Sequence, residues 1–152
     1  MGREATARTG SWAQSLDRWV ERVEERIAPE AITLCGSYAR GTFIDELSDV
    51  DVLVVGGRLP DRMYDRFDVL TALARDLALP IEAIAYTRTE FERLIVKGHV
   101  GVYDALAFGI PLWGDEVWGN WRQQFHELEQ LGLRRGQHRW QMPQVDQGPG
   151  SS

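Results

Sequence analysis

Apolar side chains recur at helical spacing in three stretches of this chain. The first covers residues 12–27 and ends before Pro29, which stops a helix. The second covers residues 63–77, with Met63 and Phe67 among its apolar positions, and the third covers residues 117–131. In each stretch the apolar positions form one stripe. The spacing therefore predicts three amphipathic helices that direct these stripes to a core.

Short apolar runs between these stretches predict strands. The runs occupy residues 31–35, 48–55, 81–86 and 110–113. Thr87 and Glu90 form a capping-box pattern at the start of a helix that ends at Lys97, and another short helix is expected at residues 102–108. Helices alternate with strands in this order, which predicts an α/β (α+β) fold with a small mixed sheet and flanking helices.

The length of 152 residues fits one domain. We expect residues 1–30 to carry an N-terminal helix that packs on the core, and residues 31–113 to form that core. Residues 114–140 would then form a C-terminal helical extension, and the polar residues 141–152 a disordered tail. The six tryptophans are explained by packing in the core or in a dimer interface.

Charge and cysteine content narrow the possible functions. The net charge of −6 and the pI of about 5.1 argue against a sequence-independent nucleic-acid binder, which needs a basic face. A small basic cluster at residues 134–140 is expected to be solvated, with contact to RNA or an acidic partner left open. The single cysteine, Cys35, excludes a disulfide framework, and we expect a buried structural thiol. No apolar stretch is long enough to cross a membrane, so a cytoplasmic location is expected.

Two acidic residues interrupt the apolar run 48–55. Asp49 and Asp51 alternate with valines, and side chains in a strand alternate faces, so both carboxylates project to one face roughly 7 Å apart. Alone, such a pair could be two solvated acids on the wet face of a sheet. Where it is partly buried, the two charges repel each other and a cation between them would stabilise the pair. Magnesium suits this arrangement because it prefers oxygen ligands.

A glycine and a serine follow the first predicted strand directly. Gly36 allows the backbone to approach a ligand closely, and Ser37 adds a hydroxyl donor. Backbone N–H groups at the start of a following helix would suit a phosphate. A phosphate pocket beside paired acids is typical of phosphoryl- or nucleotidyl-transfer sites.

The motif Gly-Ser-Tyr-Ala-Arg-Gly at residues 36–41, followed by Asp49-Val-Asp51, resembles the nucleotidyltransferase signature of the DNA polymerase β superfamily. It is most similar to the minimal nucleotidyltransferases, and the resemblance covers residues 31–113. It implies a polymerase β-like nucleotidyltransferase fold. It also implies Mg²⁺-dependent transfer of a nucleoside monophosphate from an NTP, with ATP as the expected donor, to a hydroxyl acceptor.

The resemblance also implies roles for the acidic residues. Asp49 and Asp51 would bind two Mg²⁺ ions. Glu82 stands where the family has a third carboxylate, more often an aspartate, and would hold the catalytic metal and help to activate the acceptor hydroxyl. For Glu82, an exposed strand residue without a role is the alternative.

The remaining implied roles concern the triphosphate. Gly36 and Ser37 would hold its β- and γ-phosphates, and Arg40 would lend it positive charge. For Arg40 the alternative is a structural ion pair with Asp45 or Glu46, since arginine pairs with carboxylates as readily as with phosphates.

The resemblance leaves the acceptor open among a protein, an RNA and a small molecule. The chain has little room for an acceptor domain, so a hydroxyl on a protein is expected. Minimal relatives occur with a separate helical partner in toxin–antitoxin pairs, which suggests an antitoxin role and a helical partner or toxin; a homodimer stays open. The alternative from another class is a catalytically weak binding module that docks a helical partner protein. A small-molecule modifier would need a dimer to complete its site.

Overall fold

The structure, a computed structural model, describes residues 11–42 and 49–143. Within these residues the chain forms six helices: α1 (Ser11–Ile27), α2 (Gly36–Arg40), α3 (Met63–Ala72), α4 (Arg88–Lys97), α5 (Val100–Phe108) and α6 (Asp115–Gln130). It also forms six strands: β1 (Ala31–Leu34), β2 (Val50–Val55), β3 (Ile81–Tyr86), β4 (Ile110–Trp113), β5 (Arg134–Arg135) and β6 (Trp140–Gln141).

Four of these strands form one mixed sheet in the order β3-β2-β1-β4. Strand β1 is antiparallel to both β2 and β4, whereas β2 and β3 run parallel. The predicted fold class, a small mixed sheet with flanking helices, is confirmed. Strand β3 lies at an edge of the sheet, and its neighbour β2 has a paired strand on either side.

Helices cover both faces of the sheet, which explains why β2 is almost continuously apolar. On one face α1 and α3 pack against Val52 and Val54, and the buried Trp19 donates its indole N–H to the Leu70 carbonyl at 2.9 Å. On the other face α4, α5 and α6 pack against Val55, with Phe91, Trp118, Trp121 and Phe125 buried. Because side chains along β2 alternate between the two faces, Asp51 projects from this second face. It lies near the start of the strand, where the helices leave it half-buried.

Helix α3 differs from its prediction in length and in its buried face. It ends at Ala72 rather than at residue 77, and both Met63 and Phe67 are exposed. The buried positions are Arg66 and Leu70. Arg66 can be buried because its guanidinium donates to Glu90 Oε1 at 2.7 Å and to the Ala85 carbonyl at 3.2 Å, so its charge is paired.

The C-terminal region also differs from its prediction. After α6, the short strands β5 and β6 pair as an antiparallel hairpin that the sequence pattern did not predict. The expected disordered tail lies mostly at residues 144–152, outside the described residues. In residues 11–42 and 49–143, none of the helices is both long enough and apolar enough to cross a membrane.

Candidate active site

Two of the three predicted acidic site residues are direct neighbours in the sheet. Asp51 of β2 is paired with Glu82 of β3 in the parallel register, so both side chains project from the same face. Asp51 is half-buried and Glu82 is exposed. Asp49 precedes β2 and is also exposed. The parallel pairing of β2 with β3 therefore brings together two carboxylates that are 31 positions apart in the sequence.

The surroundings of Asp51 disfavour its negative charge. Burial raises the pKa of Asp51 above its usual value, and the negative charges of Glu82 and Asp49 raise this pKa further. Each of these effects disfavours the ionised form of Asp51 in the folded protein. A cation bound here would reverse this penalty.

The donor set fits magnesium, although the three acids do not form one cluster. In the described part of the chain, no group of three or more His, Cys, Asp or Glu side chains is arranged to hold a metal ion. The structure therefore does not assemble Asp49, Asp51 and Glu82 as three ligands of one ion. Asp51 and Glu82 alone still suit Mg²⁺, which commonly takes one or two carboxylates and completes its shell with water and substrate phosphates.

Gly36 brings the start of α2 close to Asp51. The Cys35 amide donates to the Asp51 carbonyl at 2.8 Å, and Gly36 follows with a φ of +64°. A Cβ at position 36 would overlap a carboxylate oxygen of Asp51. Glycine is therefore required here for two reasons: it tolerates the left-handed conformation, and it leaves room for the acid.

Two adjoining cavities form a groove around Asp51. The first, of about 370 Å³, is lined by Gly36, Ser37, Arg40 and Asp104, among others. The second, of about 290 Å³, is lined by Glu82 and by the side chains of Leu53, Ile84, Tyr86, His99 and Val102. Both cavities include Asp51 in their walls, so this carboxylate lies where a polar pocket meets a more apolar one.

The predicted phosphate-binding residues share the first cavity. Arg40 stacks on the ring of Phe108, with its guanidinium carbon 4.4 Å from the ring centre. Its Nη2 lies 3.7 Å from Oδ2 of Asp104, which is too far for a hydrogen bond. The partners proposed for Arg40 from the sequence, residues 45 and 46, lie outside the described residues.

Two further groups line the groove without a predicted role in the reaction. Cys35 is half-buried rather than fully buried as predicted. Desolvation raises the pKa of its thiol to about 12, so the thiol is protonated at neutral pH. His99 caps α5, because its Nδ1 accepts the Val102 amide N–H at 3.3 Å. Sequence reasoning gave no role to His99 or to Asp104, since neither lies in a recognisable motif.

The chain is similar to known proteins over this region. The profile of the nucleotidyltransferase domain matches residues 16–105, more than half of the chain. A protein of Methanocaldococcus jannaschii, named "putative protein adenylyltransferase", is 42% identical over 66 residues, which cover 42% of each chain. The match thus spans less than half of that relative.

One solved structure supports the fold. A crystal structure described as a toxin–antitoxin with AMP-PNP has a TM-score of 0.52 and 18% identity, covering 75% of this chain and 86% of that one. This likeness concerns the fold alone. A nucleotidyltransferase structure from Sulfolobus solfataricus has 25% identity and a TM-score of 0.41, covering 57% of this chain and 82% of that one.

Proposed function

Because this chain belongs to the nucleotidyltransferase domain family, we propose that it transfers a nucleoside monophosphate from an NTP, with ATP as the donor, to a hydroxyl on a protein. One observation carries the proposal. Asp51 lies where the cavity lined by Ser37 and Arg40 meets a second, more apolar cavity, and its neighbour Glu82 lines the second cavity. Two adjoining pockets with acids between them suit a reaction that joins two substrates.

The acids would hold the metal. Asp51 and Glu82 would bind Mg²⁺, with Asp49 close enough for its charge to act on Asp51. When bound, Mg²⁺ would neutralise the triphosphate and stabilise the entering and leaving oxygens of an in-line displacement. The elevated pKa of Asp51 supports this assignment, because the cation would satisfy a charge that the protein leaves unpaired.

The remaining residues would bind and orient the substrates. Gly36, Ser37 and Arg40 would hold the β- and γ-phosphates in the first cavity. The acceptor hydroxyl would enter from the second cavity, and Glu82 would accept its proton. The acceptor oxygen would then bond to the α-phosphorus as the bond to the β-phosphate oxygen breaks, and pyrophosphate would leave on the side of Ser37.

A protein acceptor and a role in a toxin–antitoxin pair are part of this proposal. The M. jannaschii relative carries the name of a protein adenylyltransferase, and the structural neighbour is described as a toxin–antitoxin with AMP-PNP. We therefore propose a helical partner protein or toxin as the acceptor, with this chain as the antitoxin.

A catalytically weak binding module is the second candidate. It is favoured by the exposure of Glu82 and by the fact that the three acids do not form one metal-binding cluster in the described residues. In this case the chain would dock a helical partner without transferring a nucleotide.

The two candidates differ in the products formed from labelled ATP. The purified chain would be incubated with Mg²⁺, a bacterial cell extract and ATP labelled on either the α- or the γ-phosphate. Nucleotidyl transfer predicts that protein acquires only the α-label and that pyrophosphate is released. Transfer of the γ-label would indicate a kinase. If an Asp51→Asn variant gave the same labelling of protein as the wild type with both forms of ATP, the binding module would be favoured.

A further inference from the structure

The C-terminal hairpin β5–β6 lies beyond residues 16–105, the part that the family profile matches. It nevertheless packs on the helix that lines the first cavity. The ring of Trp140 lies 5.1 Å from that of Phe125 and 6.1 Å from that of Tyr103. Its indole N–H donates to Oδ1 of Asp104 at 2.7 Å. The hairpin is therefore attached to a carboxylate in the cavity wall.

A second residue of the hairpin, Arg135, binds the same carboxylate through two nitrogen atoms. Arg135 donates from Nε to Oδ1 of Asp104 at 2.9 Å and from Nη2 to Oδ2 at 3.2 Å. This forked geometry is the strongest pairing that arginine makes with a carboxylate. Arg40 forms a longer ion pair with the same carboxylate, at 3.7 Å and without a hydrogen bond, and also stacks on Phe108. Asp104 is thus held by Arg135 and only loosely by Arg40.

The charges explain why this arrangement matters for the cavity. Burial alone would raise the pKa of Asp104, but hydrogen bonds from Arg135 and Trp140 and the charges of Arg135 and Arg40 outweigh it, so the pKa is lowered. Asp104 is therefore ionised at neutral pH and lines the cavity that also holds Ser37 and Arg40. An ionised carboxylate would repel a triphosphate there unless a cation neutralised it.

We propose that Arg135 is a positioning residue for the triphosphate: it neutralises Asp104 and thereby leaves Arg40 available to the phosphates. The proposal rests on the function proposed above. Without Arg135, the carboxylate of Asp104 would be uncompensated and Arg40 would be the nearest cation to pair with it. The cavity would then lose a phosphate ligand and keep a repulsive charge.

The test asks whether replacing Asp104 restores the binding that is lost when Arg135 is replaced, which a purely structural role of Arg135 would not predict. The variants are Arg135→Gln, Asp104→Asn and the double variant, with thermal unfolding to verify that each is folded. Arg134→Gln is the matched control, because it removes the same charge from the same hairpin while its guanidinium donates to the backbone carbonyls of Glu129 and Leu133. Binding of Mg²⁺-ATP and of Mg²⁺-tripolyphosphate is measured by titration calorimetry.

Arg135→Gln should weaken the binding of both probes about fivefold, whereas Arg134→Gln should leave it unchanged. Asp104→Asn should bind at least as tightly as the wild type, and the double variant should recover to within about twofold of it. The proposal would be overturned if the double variant, or Asp104→Asn alone, bound the probes as weakly as Arg135→Gln does. Either result would indicate that the residue replaced supports the structure or contacts the ligand directly. A wild type that binds neither probe would overturn the proposed function as well.

Discussion

At the scale of single residues, the surroundings of Asp51 disfavour its ionised form. Its carboxyl is half-buried beside Glu82, and burial together with nearby negative charge raises its pKa. A group with a raised folded-state pKa contributes stability that is present below its ordinary pKa and is lost as the pH rises through the raised value. At neutral pH without a cation, Asp51 therefore costs the fold some stability.

The Asp51→Asn variant is expected to be at least as stable as the wild type at pH 7 in EDTA. Asparagine removes the charge that burial and the neighbouring acids disfavour. The advantage of the variant should shrink between pH 7 and about pH 4, the ordinary pKa of aspartate, because the raised pKa lets the folded wild type take up its proton before the unfolded chain does. Urea unfolding at both pH values measures this, with Asp68→Asn on an exposed position of α3 as control. Destabilisation of Asp51→Asn at pH 7 would argue against an uncompensated charge.

Gly36 provides a second test, with a control from the same motif. Gly36 and Gly41 have φ values of +64° and +74°, so an added Cβ strains the backbone at either position by roughly 1–2 kcal/mol. At Gly36 it would also overlap Asp51, whereas no neighbouring atom lies within 4 Å of it at Gly41. Gly36→Ala should lose at least as much stability as Gly41→Ala, because of the additional overlap with Asp51, and only Gly36→Ala should lose Mg²⁺-ATP binding by calorimetry. Equal loss of binding would mean that backbone strain alone explains the effect.

At the scale of the elements, Arg66 ties α3 to β3 and α4. Its guanidinium is buried and donates to the carboxylate of Glu90 and to the Ala85 carbonyl. The capping box of Thr87 and Glu90 was predicted from the sequence and is confirmed. The burial of Arg66 could not be predicted, because its partner Glu90 lies 24 positions away and the helical pattern alone favoured Met63 and Phe67 as inward residues.

Replacing Arg66 by alanine is expected to cost about 2 kcal/mol of folding free energy, because the buried Ala85 carbonyl loses its donor. The loss at Glu90 is smaller, since this side chain is partly exposed and still accepts the Thr87 N–H. The exposed neighbour Arg62 is the control, and Arg62→Ala should change stability by less than about 0.5 kcal/mol. The pKa of Glu90 is lowered mainly by the hydrogen bond from Arg66, so this stabilisation should fade as the pH falls through the carboxyl range. Urea unfolding of both variants at pH 7 and at acid pH checks the magnitude and its direction with pH.

At the scale of the whole molecule, the fold and the family were predictable because their signals are local. The apolar runs predicted the strands of the mixed sheet. The Gly36–Ser37 turn with the acid pair indicated the nucleotidyltransferase family, which is confirmed. The hairpin β5–β6 was not predictable, because its two-residue strands are too short to show an alternation of apolar and polar side chains and are exposed or only half-buried. The network at Asp104 was not predictable either, since it joins residues far apart in the sequence.

Several expectations stay predictions. These are the Mg²⁺ and nucleotide ligands, the protein acceptor, the antitoxin role, a homodimer, the domain limits and the cytoplasmic location. They concern molecules or settings that the fold alone does not specify.

Calorimetric titration with ATP, in the presence of Mg²⁺ or of EDTA, tests whether Asp51 lies in a metal–triphosphate site. We expect the wild type to bind Mg²⁺-ATP, EDTA to abolish this binding, and Asp51→Asn to weaken it at least about tenfold while remaining folded. Equal binding by Asp51→Asn and the wild type, or no binding by a folded wild type, would mean that Asp51 does not lie in such a site.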